Sequence, residues 1–374
     1  SDATGVAHQS AGYIKLSVTK GLAFTGTLYV EGEPLTLLGN FDLAGVGTLT
    51  KLATRKGMTN EPINVVPVMD FANKQIIGVV SNGAWTAGID ADLSVYNLTN
   101  LPPATGTTGR YTMVLPSSGL VGDPPQPGGD GYATFNVKRS AVSGKVLPVV
   151  DLDPLLPLTP ISINYFGDGE RLTPIAGVEV SKDGRYPFYA TLYKYYRPAT
   201  NPPNLLGTTA TYRGSVLGWL MIANSNVVGN LVWNKLDWTN GLYNLGFSNE
   251  VAVAGSPYVP PALFQKVINL GDNAVVVLQG GGLSEPITCE FDWTLTGAGA
   301  NKLVWPTAGG PDNPNRISLT VNAGTGRIEG TFVPDPLFPT VKASVKGSVL
   351  QNGNTAHGNF KGTSESGSML MYQP

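Results

Sequence analysis

Apolar and polar residues alternate along this chain with a period of two. Ile14, Leu16 and Val18 fall on one face of a strand, and Phe24, Gly26 and Leu28 on one face of the next. The pattern returns in GYATFNVKRSAVSGKV, where Ala133, Phe135 and Val137 precede Val142, Gly144 and Val146. It returns again in RISLTVNAGTGRIEGTF, where Ile317, Leu319 and Val321 precede Ile328, Gly330 and Phe332. A hairpin restated in this way predicts an internal repeat. The glycine inside each second strand predicts a bulge, a bend or close approach by a neighbour, because no Cβ stands there. Even the longest stretch without Gly or Pro, IDADLSVYNLTNL from Ile89 to Leu101, alternates and reads as a strand.

Turn chemistry punctuates these runs. Asn82-Gly83, Asp130-Gly131, Asp168-Gly169, Asp183-Gly184, Asn240-Gly241 and Asn352-Gly353 each predict a hairpin turn. The Pro/Gly-rich joints LPPATGTTG (101–109) and AGSPYVPPA (254–262) divide the chain into expected β domains at 1–105, 106–257 and 258–374. The expected fold class is all-β: two to three linked antiparallel barrels or sandwiches built from repeated hairpins.

Composition narrows the picture. With 47 glycines and 29 prolines in 374 residues, helices have little room. Charged residues make up 13% of the chain and the formal net charge is -2, which leaves no electrostatic footprint for nucleic acid or anionic lipid. No apolar run is long enough to cross a bilayer as a helix. Cys289 is the only cysteine, so disulfides within the chain and paired-cysteine zinc sites are excluded. The polar opening SDATGVAHQ lacks the regions of a signal peptide, so the chain is expected to be either processed or cytosolic; the low charge and abundant Thr, Asn and Gly favour a processed, exported chain.

The stretches PQPGGDGYATFNV, VSKDGRYPFYATLY, GSVLGWLMI, VVGNLVWNK and LYNLGF, and the closing FKGTSESGSMLMYQP, resemble a recurrent C-terminal region of large secreted proteins from Verrucomicrobia- and Planctomycetes-type bacteria. The resemblance covers most of residues 10–374. One departure is VLPVVDLDPLLPLTPISINYFGDGERL, inserted where that family has a short hairpin. The resemblance implies export and a non-enzymatic all-β module of a surface protein, and it assigns no catalytic residue.

Candidate chemistry is sparse. A triad needs a histidine beside its nucleophile, and His8 and His357 both fall in polar segments that read as solvated loops. Ser17 and Lys20 match S-x-x-K by letter, but on a strand rather than a helix start. Paired carboxylates occur as Asp90/Asp92, Asp151/Asp153 and Asp168/Glu170; residues two apart on a strand share a face at the spacing of an acid-base or cation pair. Asp168 and Glu170 are the best calcium candidate, without the longer oxygen-rich loop calcium prefers. In RYPFYATLYKYY, Tyr189, Tyr193 and Tyr195 are expected on one strand face, a ladder that could stack on sugar rings. Trp219, Trp233 and Trp238 read as core.

No cofactor motif is present. The expected function is a non-enzymatic extracellular structural protein, a cell-surface or appendage subunit that assembles with itself or other surface proteins through strand edges. The terminal SMLMY and the segment before Gly12 are its exchange candidates. The alternative is a polysaccharide-binding or adhesion module using Tyr189, Tyr193 and Tyr195.

Overall fold

The computed structural model describes residues 5–55, 58–93, 109–117, 126–142, 145–151, 173–174, 181, 184–196, 210–223, 226–237 and 242–374. Among the described residues the regular structure is all strand except one 3₁₀ turn at Gln351–Gly353. The all-β expectation holds.

The first eight strands are β1 (Gly12–Val18), β2 (Ala23–Val30), β3 (Glu33–Phe41), β4 (Gly47–Leu49), β5 (Ala53–Arg55), β6 (Met58–Asp70), β7 (Gln75–Ser81) and β8 (Thr86–Asp92). They form two four-stranded antiparallel meanders, 1-2-3-4 and 5-6-7-8, joined by a bridge between Val46 and Val68. The alternation in β3 shows why they pack: Leu35, Leu37 and Phe41 turn inward while Thr36, Leu38 and Asn40 stay exposed. They meet Phe24, Leu28, Ile63, Val65 and Ile89 in one apolar core. Burying each such side chain contributes on the order of 2 kcal/mol.

The second unit holds β9 (Gly109–Leu115), β10 (Gly131–Val142), β11 (Lys145–Asp151), β12 (Thr173–Pro174), β13 (Arg185–Tyr196), β14 (Ala210–Ala223), β15 (Asn226–Lys235) and β16 (Phe247–Pro257). Its eight-stranded sheet runs 11-10-9-16-15-14-13-12. The third holds β17 (Ala274–Gly280), β18 (Ile287–Leu295), β19 (Asn301–Val304), β20 (Ser318–Asn322), β21 (Arg327–Phe332), β22 (Ala343–Leu350), β23 (Thr355–Lys361) and β24 (Ser366–Tyr372). Its order, 19-18-17-24-23-22-21-20, repeats that of the second unit. In both, the first and last strands pair (β9 with β16, β17 with β24), and β19 and β20 approach to nearly close the third unit as a barrel.

The three hairpins compared by sequence sit at different places in this scheme: β1–β2, β10–β11 and β20–β21 are the first, second and fourth steps of their units. What recurs is a packing rule. Gly26 faces Leu16, and Gly330 faces Leu319; a Cβ at either would run into the facing strand's backbone and its leucine. Gly144, the third of the set, lies outside the described residues.

The C-terminal strand is not free. β24, which carries SMLMY, is paired on one side to β17 and on the other to β23, with Met369 and Met371 fully buried. His8, Ser10 and Ala11 are buried too. SMLMY and residues 8–11 are thus held by the chain itself, while residues 1–4 of the N-terminal exchange candidate lie outside the described residues.

Candidate functional site

An open cleft lies where the first unit meets the second. β1 pairs only with β2, and β8 only with β7, so among the described residues each keeps an edge with no ladder partner. Between them opens a cleft of about 1440 Å³. Its apolar wall includes Ile14, Leu16, Ile76, Trp85 and Ile89, and its floor is the outer face of the second unit, with Pro187, Leu217 and Trp219. Lys15, exposed in the middle of β1, stands on one rim, and Asp90 and Asp92 of β8 on the other.

The Asp90/Asp92 pair is not set up as an acid and a base. Arg185, at the start of β13, reaches both: Nη2 lies 2.7 Å from Asp90 Oδ2 and Nη1 3.2 Å from Asp92 Oδ1. Gln75 donates to Asp92 Oδ1 at 2.8 Å. The guanidinium also lies 4.1 Å above the ring centroid of Trp219, so this half-buried tryptophan serves a cation-π contact rather than a core. The cluster is a clamp between the first and second units.

A second clamp uses His8. Its ring is 1% exposed, contrary to the solvated-loop expectation, because the N-terminal segment lies against β14. Nε2 donates to the carbonyl of Tyr212 at 3.2 Å, and Nδ1 then accepts from the Ser215 hydroxyl at 3.0 Å. Burial pulls its pKa down to about 4; the Tyr212 carbonyl opposes that shift and Arg213 adds to it. Beside it, Gly32 (φ 80°) follows Glu31 (φ 50°) in a two-residue turn that only positive φ allows. Its N–H donates to the Tyr189 hydroxyl at 3.1 Å, and a Cβ there would strike Tyr212 and Thr191.

Asp130 organises the junction of the second and third units. Its carboxylate accepts from Ser117 N–H at 2.8 Å and from His357 Nδ1 at 3.0 Å, its own N–H donates to Gly358, and its carbonyl accepts from Asn359 at 2.8 Å. His357 is thus a partly buried strand residue of β23 and not a solvated loop histidine. Nearby, the Tyr243 hydroxyl lies 2.9 Å from Ser366 Oγ and accepts from Ser366 N–H at 2.9 Å. Asp130-Gly131, expected as a turn, instead opens β10.

The tyrosine ladder does not form as expected. Tyr186, Phe188, Ala190 and Leu192 point into the core of the second unit, which sends Tyr189 to the opposite face, against the first unit. At Tyr193 the backbone turns left-handed (φ 57°), and this swings the ring into the core after Leu192. There its hydroxyl accepts from Trp233 Nε1 at 3.1 Å, and the buried Lys235 ammonium lies 5.1 Å from its ring centroid. Tyr189 is 3% exposed and Tyr193 5%, so neither presents a face to a sugar. The side chain of Tyr195, Asp168 and Glu170, the Asp151/Asp153 side chains, Trp238 and Asn97 lie outside the described residues. Trp233 is core, as expected. Cys289 is buried, and burial, with Glu290 and Asp312 nearby, raises its pKa to about 11, as suits an inert thiol.

Sequence reasoning missed Arg185 and Asp130 as joining residues, since Asp92 lies 93 positions from the first and Asn359 lies 229 from the second. Among the described residues no group of three or more metal-ligating side chains converges, and no helix is long and apolar enough to cross a membrane. Compared with protein-family models, curated proteins and solved structures, the chain matches none.

Proposed function

We propose that this chain is a non-enzymatic extracellular structural protein, a cell-surface or appendage subunit that joins its neighbours through β-strand edges. The observation that carries the reading is the use made of its polar groups. Asp90, Asp92, His8 and His357 are residues a sequence reader would test for chemistry, and each, paired with Arg185, Ser215 or Asp130, is engaged in fastening one β unit to the next. Fixed joints between units transmit load and hold spacing, which are the needs of a scaffold. Open edges at β1 and β8 give that scaffold a means of strand addition. The sparse charge and the abundance of Gly, Thr and Asn fit an extracellular setting.

Light scattering after size exclusion, with negative-stain imaging, tests this reading. Species larger than the monomer that grow with protein concentration are expected. A chain that stays monomeric at every concentration, alone and mixed with a surface extract, would sink it.

A further inference from the structure

Resting on that strand-edge reading, we propose that the seam between β1 and β8 accepts an extended peptide of about seven residues from another polypeptide, with apolar side chains at alternate positions turned into the cleft. Four features select this occupant. First, the second and third units pair their first and last strands, β9 with β16 and β17 with β24, whereas among the described residues β1 and β8 approach at only a few positions and form no ladder. Second, both rims of the cleft are strand edges of seven residues each, whose backbone N–H and C=O groups call for ladder partners. A lipid or other apolar molecule could fill the cleft but could not supply them.

Third, the cleft wall is apolar at Ile14, Leu16, Ile76, Trp85 and Ile89, so the inward side chains of an inserted strand must be apolar. Fourth, the exposed Lys15 lies mid-strand on β1, with no acid beside it on that strand, and favours a carboxylate at the facing outward position. The acidic rim on β8 is already matched by Arg185, which also fixes that strand against the second unit. The inserted strand would run antiparallel to both rims, because the antiparallel Val46–Val68 bridge between the two meanders leaves β1 and β8 running in the same direction.

The chain itself suggests a probe. In the second unit the strand that closes onto β9 contains Ser248–Ser256, SNEVAVAGS, with Val251 and Val253 turned inward and Glu250 outward. A fluorescein-labelled peptide of this sequence is titrated with the full-length chain, isolated as monomer by size exclusion, and followed by fluorescence polarisation. Saturable binding is expected. Replacing Ala252→Pro in the peptide removes a donor and should weaken binding about tenfold or more. Lys15→Glu in the chain, an exposed change that leaves the core untouched, should weaken it several-fold, with recovery when the peptide carries Glu250→Lys.

Equal binding of the proline peptide would overturn the proposal in favour of a merely apolar cavity. So would displacement of the peptide by a fatty-acyl probe together with indifference to the charge exchange. No peptide binding at millimolar concentration would overturn it as well; if the chain still self-assembles, strand-edge assembly survives and the seam is not its acceptor. Peptide binding by a chain that never self-assembles would support the seam and place the joining partner elsewhere.

Discussion

Lowering the pH should release the first unit from the second through His8. The ring is buried with its Nε2 proton on the Tyr212 carbonyl, and protonating Nδ1 would reverse the Ser215 hydrogen bond and bury a charge near Arg213. The folded pKa is about 4 against an ordinary value of 6.5. The unfolded or detached state therefore takes up the proton first. The stabilisation is complete above pH 6.5, falls as the pH drops through the window from 6.5 to 4, and is gone below it. Across the whole window the loss is about 3 kcal/mol, and at pH 5 it is already about 2 kcal/mol. Denaturant unfolding of the wild type and of His8→Gln, which can hydrogen-bond but does not titrate, gives the difference directly. The wild type should lose about 2 kcal/mol more than the variant between pH 7.5 and pH 5. Equal losses, or an imidazole resonance of His8 that titrates near 6.5, would refute the reasoning.

Three further outcomes follow from the joints and the packing. Asp130→Ala strips Ser117 and His357 of their acceptor, and should lower the stability of the second and third units by about 3 kcal/mol in calorimetry while leaving the melting of the first unit in place. Gly330→Ala forces a Cβ against the backbone of Ser318 and Leu319, at about 2 kcal/mol of destabilisation by urea titration, whereas the same change at Gly88, which meets nothing, should cost well under half as much. Cys289 should resist a thiol reagent in the native chain and react at once in denaturant, since at pH 8 only about one thiol in a thousand would be ionised even if reached.

Strand content was legible because alternation is a local property. ITCEFDWTL turns Cys289, Phe291 and Trp293 to one face, and those three side chains are buried in the third unit. Gly26 and Gly330 were legible for the same reason: each lies opposite a leucine in a hairpin whose two strands are neighbours in sequence. The joints were not. His8 finds Ser215 207 positions away and Asp130 finds Asn359 at 229, and no periodicity reports such a meeting. The failure at the tyrosines has a different cause, since a period of two assumes extended backbone throughout. The left-handed turn at Tyr193 breaks that assumption inside β13, and one residue out of register is enough to exchange faces. The open seam escaped for a third reason: whether a first strand meets a last one is a matter of closure, which depends on how the whole sheet coils.

Amide hydrogen exchange on the chain at low and high concentration reads strand-edge assembly most directly. The amides of the edge strands β1, β8, β11 and β12 should gain protection as larger species form, while those of central strands such as β15 and β23 stay unchanged. Assembly that leaves β1, β8, β11 and β12 exchanging as they do in the monomer would contradict it.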